Sequence, residues 1–423
     1  MEKETIIIIG AGIAGLVLAR ELTAHYHVII LEAAEEPGGR ILSKREHGFS
    51  SIIEAGAEFI HGRLEHTFQL LKEADIDYVP VDGNFYRSEN GSWKEQDELV
   101  EGWDKLLAKM KQIRKDMTMY DFLQLYFGEE EHAALRQHAT AYTEGFDVAD
   151  IKKVSVKSLY KEWSNEETEN FRIPSGYSSL VDFMLKDCRQ KGCSIFHGEP
   201  VNRVDWKKNS VTVYTTDQNK YAAEKLVVTA PVSLLQNITG KKSINFTPPL
   251  DEIVSASKEI GFGAVIKIIL QFDEIFWKED TGFVFSDEII PTWWTQLPNP
   301  DSILTGWAGG PRAQGLSDET DEELLQKALL SLSKIFTLSL QQLQSKLQAH
   351  KIFNWQKNEW VHGAYSYPMP TSAAAIQVLN KPVAETIYFC GEALYEGNSP
   401  GTVEAAIVHA KETAAKILQN NKH

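Results

Sequence analysis

The chain has 423 residues, 43% hydrophobic and 10% aromatic, enough to bury the core of two domains, which excludes a wholly disordered polypeptide. Its 43 Lys and Arg against 59 Asp and Glu give a formal charge of -16, which speaks against nucleic acid or an anionic membrane as partner and would attract a cationic ligand. Cys188, Cys193 and Cys390 fit neither a disulfide framework nor a zinc spacing, and no run reaches the ~18 apolar residues of a membrane helix, so a soluble cytoplasmic protein without signal or membrane segment is expected.

Taken in chain order, Thr5 to Ile9 is an apolar run that reads as a buried parallel strand. Gly10-Ala11-Gly12-Ile13-Ala14-Gly15 follows, then a helix over Ile13 to Ala24, a second strand over Val28 to Leu31, and Glu32. Gly10 permits the tight turn, Gly12 lets a pyrophosphate approach the backbone, and Gly15 lets helix and strand pack closely. The amides that open the helix favour the anion, and Glu32 stands at the distance expected of a ribose-binding acid. A carboxylate there accepts ribose hydroxyls and repels a 2′-phosphate. The strand, loop, helix, strand and acid order therefore predicts an adenine-dinucleotide grip, hence redox chemistry.

From about Val81 to Phe171 the pattern is charged and helical, with a helix over Leu99 to Ile113 and an acidic run, Glu129 to Glu131, expected as a solvated helix start. Short β segments return at Ser194 to Phe196, Asn202 to Trp206, Val211 to Thr215 and Lys225 to Thr229, read as a hairpin and a return strand. A second insertion from roughly Ser257 to Pro370 mixes strands such as Ala264 to Phe272 with a helix near Glu322 to Phe336. Thr386 to Cys390 is another apolar strand, and a Gly/Pro-rich loop leads into the helix Val403 to Leu418. A second strand-to-helix glycine turn again offers amides to a ligand, so both chain ends are expected at one site.

Several motifs then carry a resemblance. Gly38-Gly39-Arg40, Gly56-Ala57-Glu58-Phe59-Ile60-His61-Gly62, Lys267 ahead of Phe272-Asp273-Glu274-Ile275-Phe276-Trp277, Tyr388-Phe389-Cys390-Gly391-Glu392 and Pro400-Gly401-Thr402-Val403-Glu404-Ala405 resemble, in family order, the flavin-containing amine oxidases. That group comprises monoamine oxidases, polyamine oxidases and histone-lysine demethylases. The resemblance implies an α/β fold, a discontinuous Rossmann-type FAD-binding domain (1–80, 172–256 and 371–423) with an α+β substrate-binding domain (81–171 and 257–370). It implies FAD contacts at Gly39 and Arg40, Gly56 to Glu58, Gly391 and Glu392, and Thr402 and Val403. Val201 resembles the valine whose backbone holds adenine.

Lys267 interrupts an otherwise apolar strand, so it either snorkels at a sheet edge or is buried as an amine able to hold water beside the flavin N5, the role the resemblance implies. Tyr365 matches the family's cage tyrosine and Trp355 the tryptophan beneath the flavin, while Trp360, Trp293 and Trp294 stay unassigned. Ala364 stands where monoamine oxidases carry the cysteine that bonds FAD, so a noncovalent flavin is expected. Thr402 stands where they carry a second cage tyrosine, so the resemblance implies a one-sided sandwich, as in the histone demethylases. His61 resembles an active-site histidine of animal polyamine oxidases, with backbone hydrogen bonding as its alternative, and Glu58 is expected near enough to bind a remote ammonium.

The expected function is oxidation of an amine, a polyamine or a primary or secondary amine, to an imine and then an aldehyde, with O2 reduced to hydrogen peroxide. Competing readings are an L-amino-acid oxidase, a desaturase or protoporphyrinogen-type oxidase, an NAD-linked dehydrogenase, and a non-catalytic FAD-binding protein. Composition does not separate monomer from homodimer.

Overall fold

The computed structural model describes residues 3–89, 91–96, 102–165, 169–236 and 242–420. Five short strands form a wholly parallel sheet in the order Ser194–Phe196, His27–Leu31, Thr5–Ile9, Lys225–Val228, Ile387–Phe389. Numbered along the chain this is 3-2-1-4-5, the doubly wound order whose ligand crevice lies beyond the carboxyl ends of the strands. Burial on both faces explains the unbroken isoleucine run. Ile6 and Ile8 pack with the helices Ile13–Leu22, Ser178–Gln190 and Val403–Asn420, whereas Ile7 and Ile9 pack with Val204, Val211 and Val213 of a four-stranded sheet on the other side.

That second sheet runs Lys220–Ala223, Ser210–Thr215, Val201–Lys207, Asn245–Thr247. It differs from the hairpin expected from sequence in one respect: Ser194–Phe196 pairs in register with Ile29 to Leu31 as an edge of the parallel sheet. Three residues carry too little pattern to separate the two placements.

A seven-stranded sheet runs Leu347–Asn354, Val265–Phe272, Ile303–Gly309, Thr292–Trp294, Thr281–Ser286, Asn84–Glu89, Ser92–Glu95. Its last two strands come from a stretch that reads as helical by charge. They join through a parallel pairing of Asn84–Glu89 with Thr281–Ser286, placing Phe85 beside Phe283 and Arg87 beside Phe285. Strand alternation divides the faces. Ile266, Ile268, Leu270, Phe272 and Trp293 pack on one side under the helix Asp321–Phe336, while Lys267, Trp294 and Trp307 face the other. Thr320 and Glu323 start that helix with a complete capping box.

The helix expected over Leu99 to Ile113 is observed as Trp103–Lys111, with 97–101 outside the described residues. Glu130–His132 forms an exposed turn that opens the helix Ala133–Gly145. No helix among the described residues is long and apolar enough to cross a membrane.

Candidate active site

One cavity of about 1220 Å³ runs from the first glycine loop to Lys267 and Tyr365. It exceeds the ~300–1,000 Å³ of a single small-molecule pocket, leaving room for a dinucleotide and a second reactant. Gly10, Gly12, Ile13, Ala14, Glu32, Gly39, Arg40, Gly56, Ala57, Glu58, His61, Val201, Lys267, Trp355, Tyr365, Gly391, Glu392, Thr402 and Val403 all line it. Gly15 does not, and its part is structural: a Cβ there would lie 2.9 Å from Thr229 Oγ1 and closer still to Gly10 O.

The glycines around the first loop separate two causes. Gly10 has φ +107° and a Cβ would meet Thr229 Oγ1 at 2.8 Å, so the fold itself demands glycine. At Gly12 a Cβ would meet only Gly38 O at 3.9 Å; at Gly391, whose φ of +150° also favours glycine, nothing lies within 4 Å. These are spaces that a bound pyrophosphate would fill, so the cradle fits a dinucleotide. Glu32 closes the loop, its carboxylate accepting from Ala11 N at 2.6 Å and Ala34 N at 2.9 Å. Burial raises its carboxyl despite these bonds.

The chain ends meet here. Arg40 Nη1 donates to Glu392 Oε1 at 2.7 Å and to Ala364 O at 2.9 Å, and Glu392 Oε2 also accepts from Ser366 Oγ at 2.7 Å. Thr402 caps the final helix: its hydroxyl accepts from Ala405 N at 3.1 Å and donates to Ser399 O. Val403 therefore stands at the helix opening, where amides lack intrahelical acceptors. One residue on, the Glu404 carboxylate accepts from His66 N, Thr67 N and Thr67 Oγ1, capping the helix Glu65–Ala74. Trp355 is buried, with Nε1 donating to Ala55 O at 2.8 Å.

Lys267 is 1% exposed on an interior strand, so it does not snorkel to an edge. Its Nζ lies 2.6 Å from Glu58 Oε2 and 3.2 Å from Gly56 O. Glu58 Oε1 accepts from Trp294 Nε1 at 2.9 Å and lies 3.2 Å from Arg172 Nη2. Burial would raise the Glu58 carboxyl, but Lys267, Arg172 and these hydrogen bonds override it and hold the group below the ordinary carboxylate range. The protein's own cations thus take up the carboxylate that sequence reading assigned to a remote ammonium.

The Tyr365 hydroxyl donates to Phe146 O, leaving the ring as what a ligand can meet. Burial, then Asp147, Glu162 and Glu392, keeps the phenol protonated by raising it well above its ordinary value. Gly401 makes room for the ring, since a Cβ there would sit 2.9 Å from Tyr365 Cδ2. His61 hydrogen-bonds a side chain rather than backbone: Nδ1 lies 2.7 Å from Asn170 Oδ1, and the ring meets Phe146 edge-on. Burial pushes it down, so the ring is neutral near pH 7.

Sequence reading missed Arg172, Trp294 and Phe146. Strand alternation could have separated Trp294 from core Trp293; nothing local marks Arg172, which meets Glu58 only through the tertiary fold.

Residues 13–418 match the family of flavin containing amine oxidoreductases, and the chain belongs to it. A flavin, typically FAD, is the cofactor of that family. Human lysine-specific histone demethylase 2 is 25% identical over 98% of this chain, which spans about half (53%) of that relative's length. Bovine peroxisomal N(1)-acetyl-spermine/spermidine oxidase is 25% identical over 86% of this chain and 83% of its own. Among solved structures, cyclohexylamine oxidase from Brevibacterium oxydans superposes with a TM-score of 0.82 at 19% identity, covering both chains completely. Putrescine oxidase bound to putrescine gives 0.81 at 18% identity over 99% of each chain. These likenesses agree with a Rossmann-type FAD domain joined to a substrate-binding domain.

Proposed function

We propose that the chain oxidises a small-molecule amine, a polyamine or a primary or secondary amine, with FAD held noncovalently. The observation that carries this reading is the continuity of one cavity from the dinucleotide cradle to Lys267 and the Tyr365 ring. Bound FAD would supply the two-electron oxidation, accepting hydride from the amine α-carbon at N5 and passing electrons to O2 to give hydrogen peroxide.

The residues do the rest. The Tyr365 ring, its hydroxyl tied to Phe146, presents a fixed π face to the amine nitrogen. Lys267 holds a water at the flavin side, and neutral His61 borders the same space. Arg40, locked by Glu392, contributes positive charge beside the cradle. A methyl at Ala364 offers no thiol for a covalent flavin link. The imine product hydrolyses to an aldehyde and an amine or ammonia.

We assign cofactor binding to 1–80, 172–256 and 371–423, and substrate binding to 81–171 and 257–370. The buried thiols of Cys188, Cys193 and Cys390 suit the reducing cytoplasm. Anaerobic mixing of the yellow holoprotein with spermine, spermidine, putrescine and phenethylamine tests the function. Loss of oxidised-flavin absorbance with at least one is expected; a flavin that none of them bleaches refutes it.

A further inference from the structure

A lysine and a glutamate buried singly would each cost several kcal/mol. Lys267 and Glu58 are buried together, and the carboxylate is the better anchored of the two. Trp294 Nε1 and Arg172 hold Glu58 Oε1, and Arg172 is itself pinned: Nη2 donates to Thr295 O at 2.8 Å, Nη1 to Gln296 Oε1 at 2.9 Å, and the guanidinium lies 4.8 Å from the Phe59 ring centroid. Lys267 reaches this anchor on a flexible stem. Glu58 and Gly56 O take two of the three N–H bonds of an ammonium, which leaves one for the cavity that Lys267 lines.

We propose that Glu58, backed by Arg172 and Trp294, is a positioning residue that aims Lys267 into the flavin side of the cavity, an assignment that rests on the amine-oxidase reading. The charged groups facing one another here are Lys267, Arg172, Glu58 and Glu54. Lys267 and Arg172 against Glu58 leave one net positive charge, which favours negative charge on a neighbouring ring. Glu54 tempers it, with a carboxyl that burial pushes up to about 7.

The test is Glu58→Gln in the FAD-loaded protein. Retained FAD and an unchanged oxidised spectrum are expected, with anaerobic flavin reduction slowed at least tenfold and half-saturating amine nearly unchanged. The pH profile of reduction is expected to move, because one negative charge has left the reacting side of the cavity. Without any amine, the midpoint potential of the bound flavin rises, since one negative charge is gone. Wild-type rate, pH profile and potential in Glu58→Gln overturn the proposal. If two uncompensated cations prevent that variant from folding, Trp294→Phe keeps every charge and loses one hydrogen bond to Glu58. It is expected to slow flavin reduction by a smaller factor with half-saturating amine nearly unchanged, and an unmoved rate overturns the proposal. A wild-type flavin that no amine bleaches refutes the amine-oxidase reading instead, while the potential shift still reports on Glu58.

Discussion

His409 gives the cofactor site a built-in sensitivity to acid. It is 1% exposed inside the final helix, its Nδ1 accepting from Gly391 N at 3.2 Å while Nε2 lies 2.8 Å from Asn380 Oδ1. An N–H donor at Nδ1 requires a lone pair there, so the ring is neutral with its proton on Nε2. Burial, then the Lys416 charge, pushes the imidazole from its ordinary 6.5 to about 4. Between these values the unfolded chain takes up a proton that the folded one refuses. The stabilisation is thus complete above the unfolded value and is lost as pH falls through the folded one. A gap of about 2.5 units at ~1.36 kcal/mol each amounts to about 3.4 kcal/mol in all, of which about 2.5 kcal/mol is gone by pH ~4.5. Protonation of the folded ring, as pH approaches about 4, also removes the acceptor for Gly391 N, beside Glu392 and Arg40, so FAD is expected to dissociate more readily there. Urea unfolding of wild type and His409→Gln from pH 7 to ~4.5, with FAD affinity measured in parallel, isolates the effect. Parallel loss of stability in both proteins would show that this ring does not carry it.

Gly15→Ala puts a methyl between the backbone of Gly10 and Thr229 with no side chain able to yield; a loss of about 3 kcal/mol or more and failure to retain FAD are expected, read by thermal melting and flavin content. Glu54→Gln acts oppositely to His409→Gln. The Glu54 carboxyl, raised from 4.5 to about 7, contributes stability that is complete below its unfolded value and is lost as pH rises through the folded one, so wild type weakens by up to about 3.4 kcal/mol, most of it between pH ~4.5 and ~7. The variant should resist that loss in denaturation curves taken from pH ~4.5 to ~8, and equal losses would exclude Glu54. Lys267→Met should slow flavin reduction or reoxidation severely in stopped-flow traces; wild-type rates for both would remove the lysine from the chemistry.

The parallel sheet was legible because Ile6 to Ile9 and Val28 to Leu31 are apolar on both faces and the intervening loop is glycine-rich. Lys267 was legible as an anomaly within such a run, though its partners were not. Glu58 and Arg172 come from different parts of the chain, and charge pairing between distant segments leaves no periodic trace. The hairpin Asn84–Glu89 and Ser92–Glu95 was hidden for a similar reason. Lys94 and Glu95 at the sheet edge carry charges that look helical, while the pairing that makes the first strand lies with Thr281–Ser286. Boundaries moved by one or two residues, as at Asp321–Phe336, which Thr320 starts.

The 3-2-1-4-5 strand order has a consequence for biosynthesis. The centre of the sheet pairs residues near the N-terminus with Lys225–Val228, and its far edge is supplied by Ile387–Phe389. The helix Glu65–Ala74 likewise waits for Glu404 to cap it. A ribosome must therefore release the chain as far as Ile387–Phe389 and Glu404 before the coenzyme has a finished seat, and the early strands stay exposed meanwhile, when sticky edges invite misassembly. Riboflavin supply should accordingly govern how much newly made protein survives, by capturing the last step of assembly.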